Sequence, residues 1–110
     1  MTDSDYSDGL VVDVRSEGSD LCVAAHGEVD ISTSPKWEAA IADGLTKRPS
    51  RILIDMHGVS FIDSSGLAVL VRSDAQADSQ GCRLIVRAPS RQVDRVLTLA
   101  GLSRHLTIEA

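Results

Sequence analysis

The segment that decides the fold runs Arg51-Ile52-Leu53-Ile54-Asp55-Met56, then His57-Gly58-Val59-Ser60-Phe61-Ile62, then Asp63-Ser64-Ser65-Gly66-Leu67. Its first part is a short, almost unbroken apolar run. Such a run reads as a strand covered on both faces, the kind found in parallel sheets. The stretch from His57 to Ile62 loses that pattern and reads as a loop. After Asp63 the period changes: Leu67, Leu70, Val71 and Ala75 fall on one helical stripe. Gln80-Gly81 supplies the stop.

Outward from this unit the alternation repeats. Upstream, Ser34-Pro35 opens a helix, with a hydroxyl near the cap and Pro in the first turn. Trp37, Ala40, Ile41, Gly44 and Leu45 form its apolar stripe, which reads to about Lys47, and Pro49 closes it. Before it, Leu10, Val12 and Val14 share one face of a strand. Leu21, Val23 and Ala25 alternate with Cys22, Ala24 and His26 in another, and Glu17-Gly18-Ser19-Asp20 makes the pair a hairpin. Downstream, Arg83–Arg87 reads as a second buried-type strand. Pro89-Ser90 starts a third helix with Val93, Val96, Leu97 and Ala100 at helical spacing. Gly101 stops it, and Leu106-Thr107-Ile108 is a last short strand. Helices alternating with strands imply right-handed crossovers onto a mostly parallel sheet. The expected fold is a single α/β domain over residues 10–110. Its sheet is mixed and mostly parallel, with an N-terminal antiparallel edge and helices packed against it. Residues 1–9, acidic and without aliphatic side chains, read as a flexible tail.

Composition limits the functions open to such a domain. A chain of 110 residues is one domain of ordinary size and buries roughly two-thirds of its unfolded surface. The net charge of −5 argues against nucleic acid or an anionic membrane as partner, because phosphate binding needs a basic surface. No apolar run is long enough to span a bilayer, and Met1–Gly9 lacks the pattern of a secretory leader. The expected setting is cytoplasmic. Cys22 and Cys82 each sit in an apolar strand-like run. They read as buried reduced thiols, with a disulfide left open because spacing cannot supply its geometry.

In parallel sheets, sites gather outside the carboxyl ends of the strands. Two polar segments belong there: Gly27–Ser34 and His57–Gly66. In the second, Asp63 or Ser64 is placed to cap a helix by accepting from its free N–H groups. The plain reading of Asp-Ser-Ser-Gly is that cap. The sharper reading is a phosphoacceptor. Phosphate adds about −1.5 to −2 charges and three strong acceptors, and free N–H groups at a helix start favour an anion. Gly66, without a side chain, leaves room for another backbone to approach. Phe61, Ile62 and Leu67 supply apolar surface around it.

Gly58-Val59-Ser60-Phe61-Ile62-Asp63-Ser64-Ser65-Gly66-Leu67 closely resembles the signature of STAS-domain anti-sigma factor antagonists. Gly27-Glu28-Val29-Asp30 followed by Ser34-Pro35 resembles a second motif of that family, and Gly101-Leu102 a third feature. The likeness runs over about residues 10–108, in order. Ala68 departs from it, since Gly is frequent there, and some relatives carry a further C-terminal helix. The resemblance implies a switch protein that is not an enzyme and uses no cofactor or metal. Unphosphorylated, it would bind an anti-sigma factor serine kinase and so free a sigma factor. Phosphorylation at Ser64, with Ser65 as the alternative, would end binding, and a serine phosphatase would restore it. The implied partner contacts are Asp30, Ser32, Ser34, Phe61, Ile62, Asp63, Ser65, Gly66 and Leu67, on a monomer or weak dimer. A different role in the same family is a subunit of a stress-sensing or transporter-associated complex.

Rival chemistries fit less well. Ser64 beside Asp63, with His57 near in sequence, suggests a serine hydrolase. The nucleophile elbow Gly-x-Ser-x-Gly fails at Ile62, and a triad carboxylate is not the residue adjacent to its serine. No Gly-x4-Gly-Lys phosphate loop is present. His26, Glu28 and Asp30 alternate, but three residues in a bending segment are a weak metal set. Asp30 is expected to tune the switch without supporting the fold, since no helix cap is assigned to it.

Overall fold

The computed structural model describes residues 9–110; the expected tail therefore lies, but for Gly9, outside the described residues. Strand β1 (Leu10–Glu17) turns back on β2 (Asp20–Val29) as an antiparallel hairpin. Helix α1 (Ser34–Thr46) leads to β3 (Arg51–Ile62), α2 (Ser64–Ser79) to β4 (Arg83–Arg87), and α3 (Arg91–Leu99), with a 3₁₀ turn (Leu102–Arg104), to β5 (Thr107–Glu109). The sheet order is β1-β2-β3-β4-β5, and every pairing after the first is parallel. This is the architecture expected from the alternation of periods.

The main core lies on one face of the sheet. Trp37, Ile41 and Leu45 of α1, Val69 and Leu70 of α2, and Val93 and Leu97 of α3 pack against Leu21, Val23, Ile52, Ile54, Leu84 and Val86. The apolar run of β3 is therefore not covered by helices on both faces. On the other face only Cys22, Leu53 and Ile85 form a small buried cluster. Charged side chains close over that face: Arg87 donates to both carboxylate oxygens of Glu17, at 3.2 and 3.3 Å, and lies 3.7 Å from Glu109. Long cationic side chains can cover apolar surface with their stems and keep their heads in water.

Two expectations are corrected. Residues 57–62 are not a loop but the second half of β3. Pairing with β4 stops at Asp55, while pairing with β2 continues to Val29 opposite Ile62. The period is broken because β3 bulges twice. From Ala24 to His26, two steps on β2, β3 advances three, from Asp55 to Gly58; from Gly27 to Glu28, one step, it advances two, from Val59 to Phe61. Bulges add residues to one strand and increase its local twist, which erases strict alternation. The stripe of α2 is also rotated from the expected one. Gly66, Val69, Leu70, Ser73 and Ala77 are buried, whereas Val71 is 46% exposed. The buried face uses a glycine and a serine, which a hydrophobicity count passes over. The stripe of α1 matches expectation, and α3 starts at Ser90 as expected, with Ser90 Oγ accepting from Val93 N at 3.2 Å. The hydroxyl expected near the start of α1 does not cap it: Thr33 stands at the N-cap, but its side chain makes no cap hydrogen bond.

Cys22 and Cys82 are both free and buried, one in the small cluster and the other in the main core, on opposite faces of the sheet. Burial pushes both thiols above their ordinary range. Native protein at neutral pH is therefore expected to resist a thiol reagent such as dithionitrobenzoate, and both cysteines should react on unfolding. Rapid labelling of either in the native state would show that its cover opens readily.

Candidate functional site

The extension of β3 beyond β4 brings two turns to one corner of the sheet. Glu28 pairs with Phe61 and Val29 with Ile62, and Asp63 N–H then donates to Val29 O at 3.2 Å. Segments 30–33 and 63–66 thus emerge side by side at the carboxyl edge. The far side of the β3 extension, which has no β4 beside it, is held by α3: Ser90 Oγ donates to Val59 O at 2.6 Å and Ser90 N–H to Met56 O at 3.3 Å.

Each turn is organised by one carboxylate. Asp63 is the N-cap of α2, and its Oδ1 accepts from Ser65 N at 2.9 Å and Gly66 N at 3.4 Å. Two of the N–H groups expected to be free for an anion are therefore already occupied. Asp30 Oδ1 accepts from Ser32 N at 3.0 Å, Ser32 Oγ at 2.8 Å and Thr33 N at 3.0 Å. The Ser32 hydroxyl first, then the Thr33 N–H, hold this carboxyl below the usual carboxylate range. Asp30 does support the fold, contrary to the expectation: a short Asx-type turn needs its acceptor to enter α1. Thr33 completes it, accepting from Asp30 N at 2.9 Å and donating to Glu28 O at 2.8 Å. Thr33, fully buried, does not stand out in the sequence, because a threonine two residues before Pro reads only as a cap.

The remaining site residues fall into two groups. Ser64 and Ser32 are exposed, Ser65 and Leu67 half-buried, and Phe61 is 48% exposed. Ser64 is the first residue of α2, and its hydroxyl has no hydrogen bond among the described residues. Ser34, Ile62 and Gly66 are buried. The space at Gly66 is taken by this chain's own side chains: a Cβ there would lie 2.6 Å from Ile62 Cγ1 and 2.7 Å from Val29 Cγ1. Ile31, 78% exposed in the turn after β2, also escapes a reading of the sequence.

The rival chemistries do not assemble. His57 lines a cavity with Ala88, Pro89, Arg91 and Asp94, beside α3. It is separated from Ser64 by extended strand, roughly 15 Å of run at about 3.3 Å per residue. Asp63 is committed to its cap. His26 lies 3.9 Å from Asp13, and Asp30 is committed to its own turn, so the alternating set does not converge. No helix among the described residues is long and apolar enough to cross a membrane.

A mostly parallel sheet with a hairpin edge and an exposed serine at its carboxyl corner makes this a small α/β domain, and known proteins place it. The STAS domain family model matches residues 11–110, and the chain belongs to that family. It is 28% identical over 99 residues to the anti-sigma-B factor antagonist of Bacillus subtilis, covering 90% of each chain. It is 27% identical over 97 residues to the anti-sigma-F factor antagonist RsfB of Mycobacterium tuberculosis, covering 88% of this chain and 79% of that one. In structure it is similar to an anti-sigma factor antagonist from Mycobacterium paratuberculosis, with a TM-score of 0.81 and 25% identity over 93% of this chain and 86% of the other.

Two measurements test this geometry. Gly66→Ala forces a methyl against side chains from two strands, and overpacking of this kind costs about 1–3 kcal/mol. Denaturant unfolding should show a loss of that size; an unchanged midpoint would mean that the corner is loosely packed. The depressed titration of Asp30 also carries a sign. Stability from this carboxylate is fully present above its ordinary range and is lost as pH falls through its lower folded value. The acid limb of stability against pH should therefore be flatter in Asp30→Asn than in wild type, with a lower plateau near neutrality. Superimposable curves would remove Asp30 from the fold.

Proposed function

We propose that this protein is an anti-sigma factor antagonist switched by phosphorylation at Ser64. Unphosphorylated, it binds an anti-sigma factor serine kinase and displaces the sigma factor. The kinase transfers the γ-phosphoryl group of ATP to Ser64 Oγ, leaving ADP and releasing the hydroxyl proton. The modified protein then lets go, and a serine phosphatase hydrolyses the ester to restore it. The protein supplies the acceptor serine and the docking surface, and the kinase supplies the catalysis.

The observation that carries this reading is Ser64 itself: an exposed hydroxyl without hydrogen bonds among the described residues, on backbone fixed by the Asp63 cap. A kinase needs the acceptor both accessible and held in place. The family and the names of the relatives support the antagonist part of the reading. Release is a matter of electrostatics. A phosphate on Ser64 stands next to the Asp63 carboxylate, which already takes the Ser65 and Gly66 N–H groups, so the new charge is poorly neutralised within the chain. Covering it with a partner removes its water, and an uncompensated buried charge is heavily penalised. A loss of about 4 kcal/mol weakens binding roughly a thousandfold.

Incubation with ATP and purified anti-sigma kinases, followed by mass spectrometry of the Ser64-Ser65 peptide, tests the assignment. Ser64→Ala should take up no phosphate and still bind the kinase. Full incorporation into that variant would move the site to Ser65 or elsewhere.

A further inference from the structure

We propose that Ile31 and Phe61 are the apolar anchors of the docking surface, and that the partner meets them with an apolar socket rimmed by Lys or Arg. The proposal rests on the antagonist reading above and names the chemistry of its interface.

Ile31 is 78% exposed, in a turn that gains nothing locally from a β-branched apolar residue. The turn around it is held rigidly. Asp30 Oδ1 takes four bonds from residues 32 and 33, and Thr33 ties the turn back to Glu28 O and Asp30 N. An exposed isoleucine on fixed backbone is pre-organised, so seating it in a socket costs little ordering entropy. Phe61 is the only phenylalanine of the chain and is 48% exposed. It lies on the last stretch of β3, in register with Glu28. Parallel pairing sets Phe61 beside Glu28, three residues before Ile31, at the corner where Ser64 begins α2. A partner seated on both Ile31 and Phe61 therefore covers the switch serine, and a phosphate there is pressed against apolar surface.

The margin of the same corner is acidic. Glu28 is exposed beside Phe61, and Asp30 directly precedes Ile31. The hydrogen bonds that Asp30 and Asp63 accept among the described residues fall on Oδ1. Among the described residues, Oδ2 of each carboxylate thus receives no hydrogen bond. A cationic rim on the partner matches the acidic margin at Glu28 and Asp30, on the β2 side of the corner, while the phosphate site at Ser64 lies inside the socket. Apolar anchors at the centre with charges at the rim is the usual anatomy of a specific interface. Leu99, also 78% exposed, sits at the end of α3, whose exposed residues include Arg91 and Arg95, and provides the control.

The test uses the full chain and the purified anti-sigma factors of the source organism, titrated one by one by calorimetry. Ile31→Ser and Phe61→Ser should each weaken the complex by at least about tenfold, with unchanged melting midpoints, and Leu99→Ser should bind as wild type. Wild-type affinity should fall as salt is raised, and less steeply in Glu28→Gln. If the serine variants bind within about twofold of wild type, the anchors are wrong while antagonism stands. Affinity indifferent to salt would overturn the basic rim. If wild type binds none of the anti-sigma factors, the antagonist reading fails and takes this proposal with it.

Discussion

The pairing of β3 with β2, two residues out of step by the end, is the constraint on which the rest of the molecule depends. β3 runs seven residues past its last partner on β4, from Asp55 to Ile62, and two of those residues are taken up by the bulges. Over this stretch it has β2 on one side only. The backbone groups this leaves without a ladder find other partners, as buried polar groups must. Val59 O receives the Ser90 hydroxyl and Val29 O the Asp63 N–H. The first bond ties α3 to the extension and the second ties α2 to the end of β2. The overhang of β3 along β2 thus positions two helix starts.

At the corner so formed, one device is used twice. A carboxylate accepts backbone N–H groups through one oxygen and fixes the first turn of the next element, Asp30 for the entry to α1 and Asp63 for α2. Charge-assisted bonds of this kind are shorter and stronger than neutral ones. The use of aspartate also leaves the corner negative. The same residues therefore shape the backbone and set the electrostatic background against which any further charge is felt. On the proposed reading, local stability and partner recognition are coupled here through shared atoms.

The elements most legible in the sequence are those whose buried face is made of large aliphatic or aromatic side chains. Trp37, Ile41 and Leu45 announce α1, and the unbroken runs 52–54 and 84–86 announce two strands of the sheet. Where the buried face uses small or polar residues, the pattern misleads. In α2 the contact at Gly66 is made by Ile62 and Val29 reaching towards it, so the apolar mass belongs to the neighbours. In the second half of β3, two inserted residues break the alternation, and the strand reads as a loop. The serine is visible because its neighbours carry a motif. Ile31 is not, because an apolar residue between polar ones in a turn belongs to no period. Thr33 and Asp30 read as cap and rim, since hydrogen bonds within a turn leave no periodic trace.

The one-sided arrangement of the core bears on how such a corner can change charge without loss of structure. Nearly all the large buried side chains lie between the helices and one face of the sheet. The opposite face is closed by the small cluster and the Glu17–Arg87–Glu109 bridges. Ser64 belongs to neither layer. Its side chain fills no cavity, and its hydroxyl makes no hydrogen bond among the described residues. The helix it opens is capped by a different residue. A group that contributes nothing to packing or to capping can be esterified without removing an interaction, so the fold has little to lose. On the proposed reading the partner stands differently: the hydroxyl it covers would become a dianion beside Asp63. On that reading the energetic consequence of modification would fall on the complex, while the free protein would keep its fold.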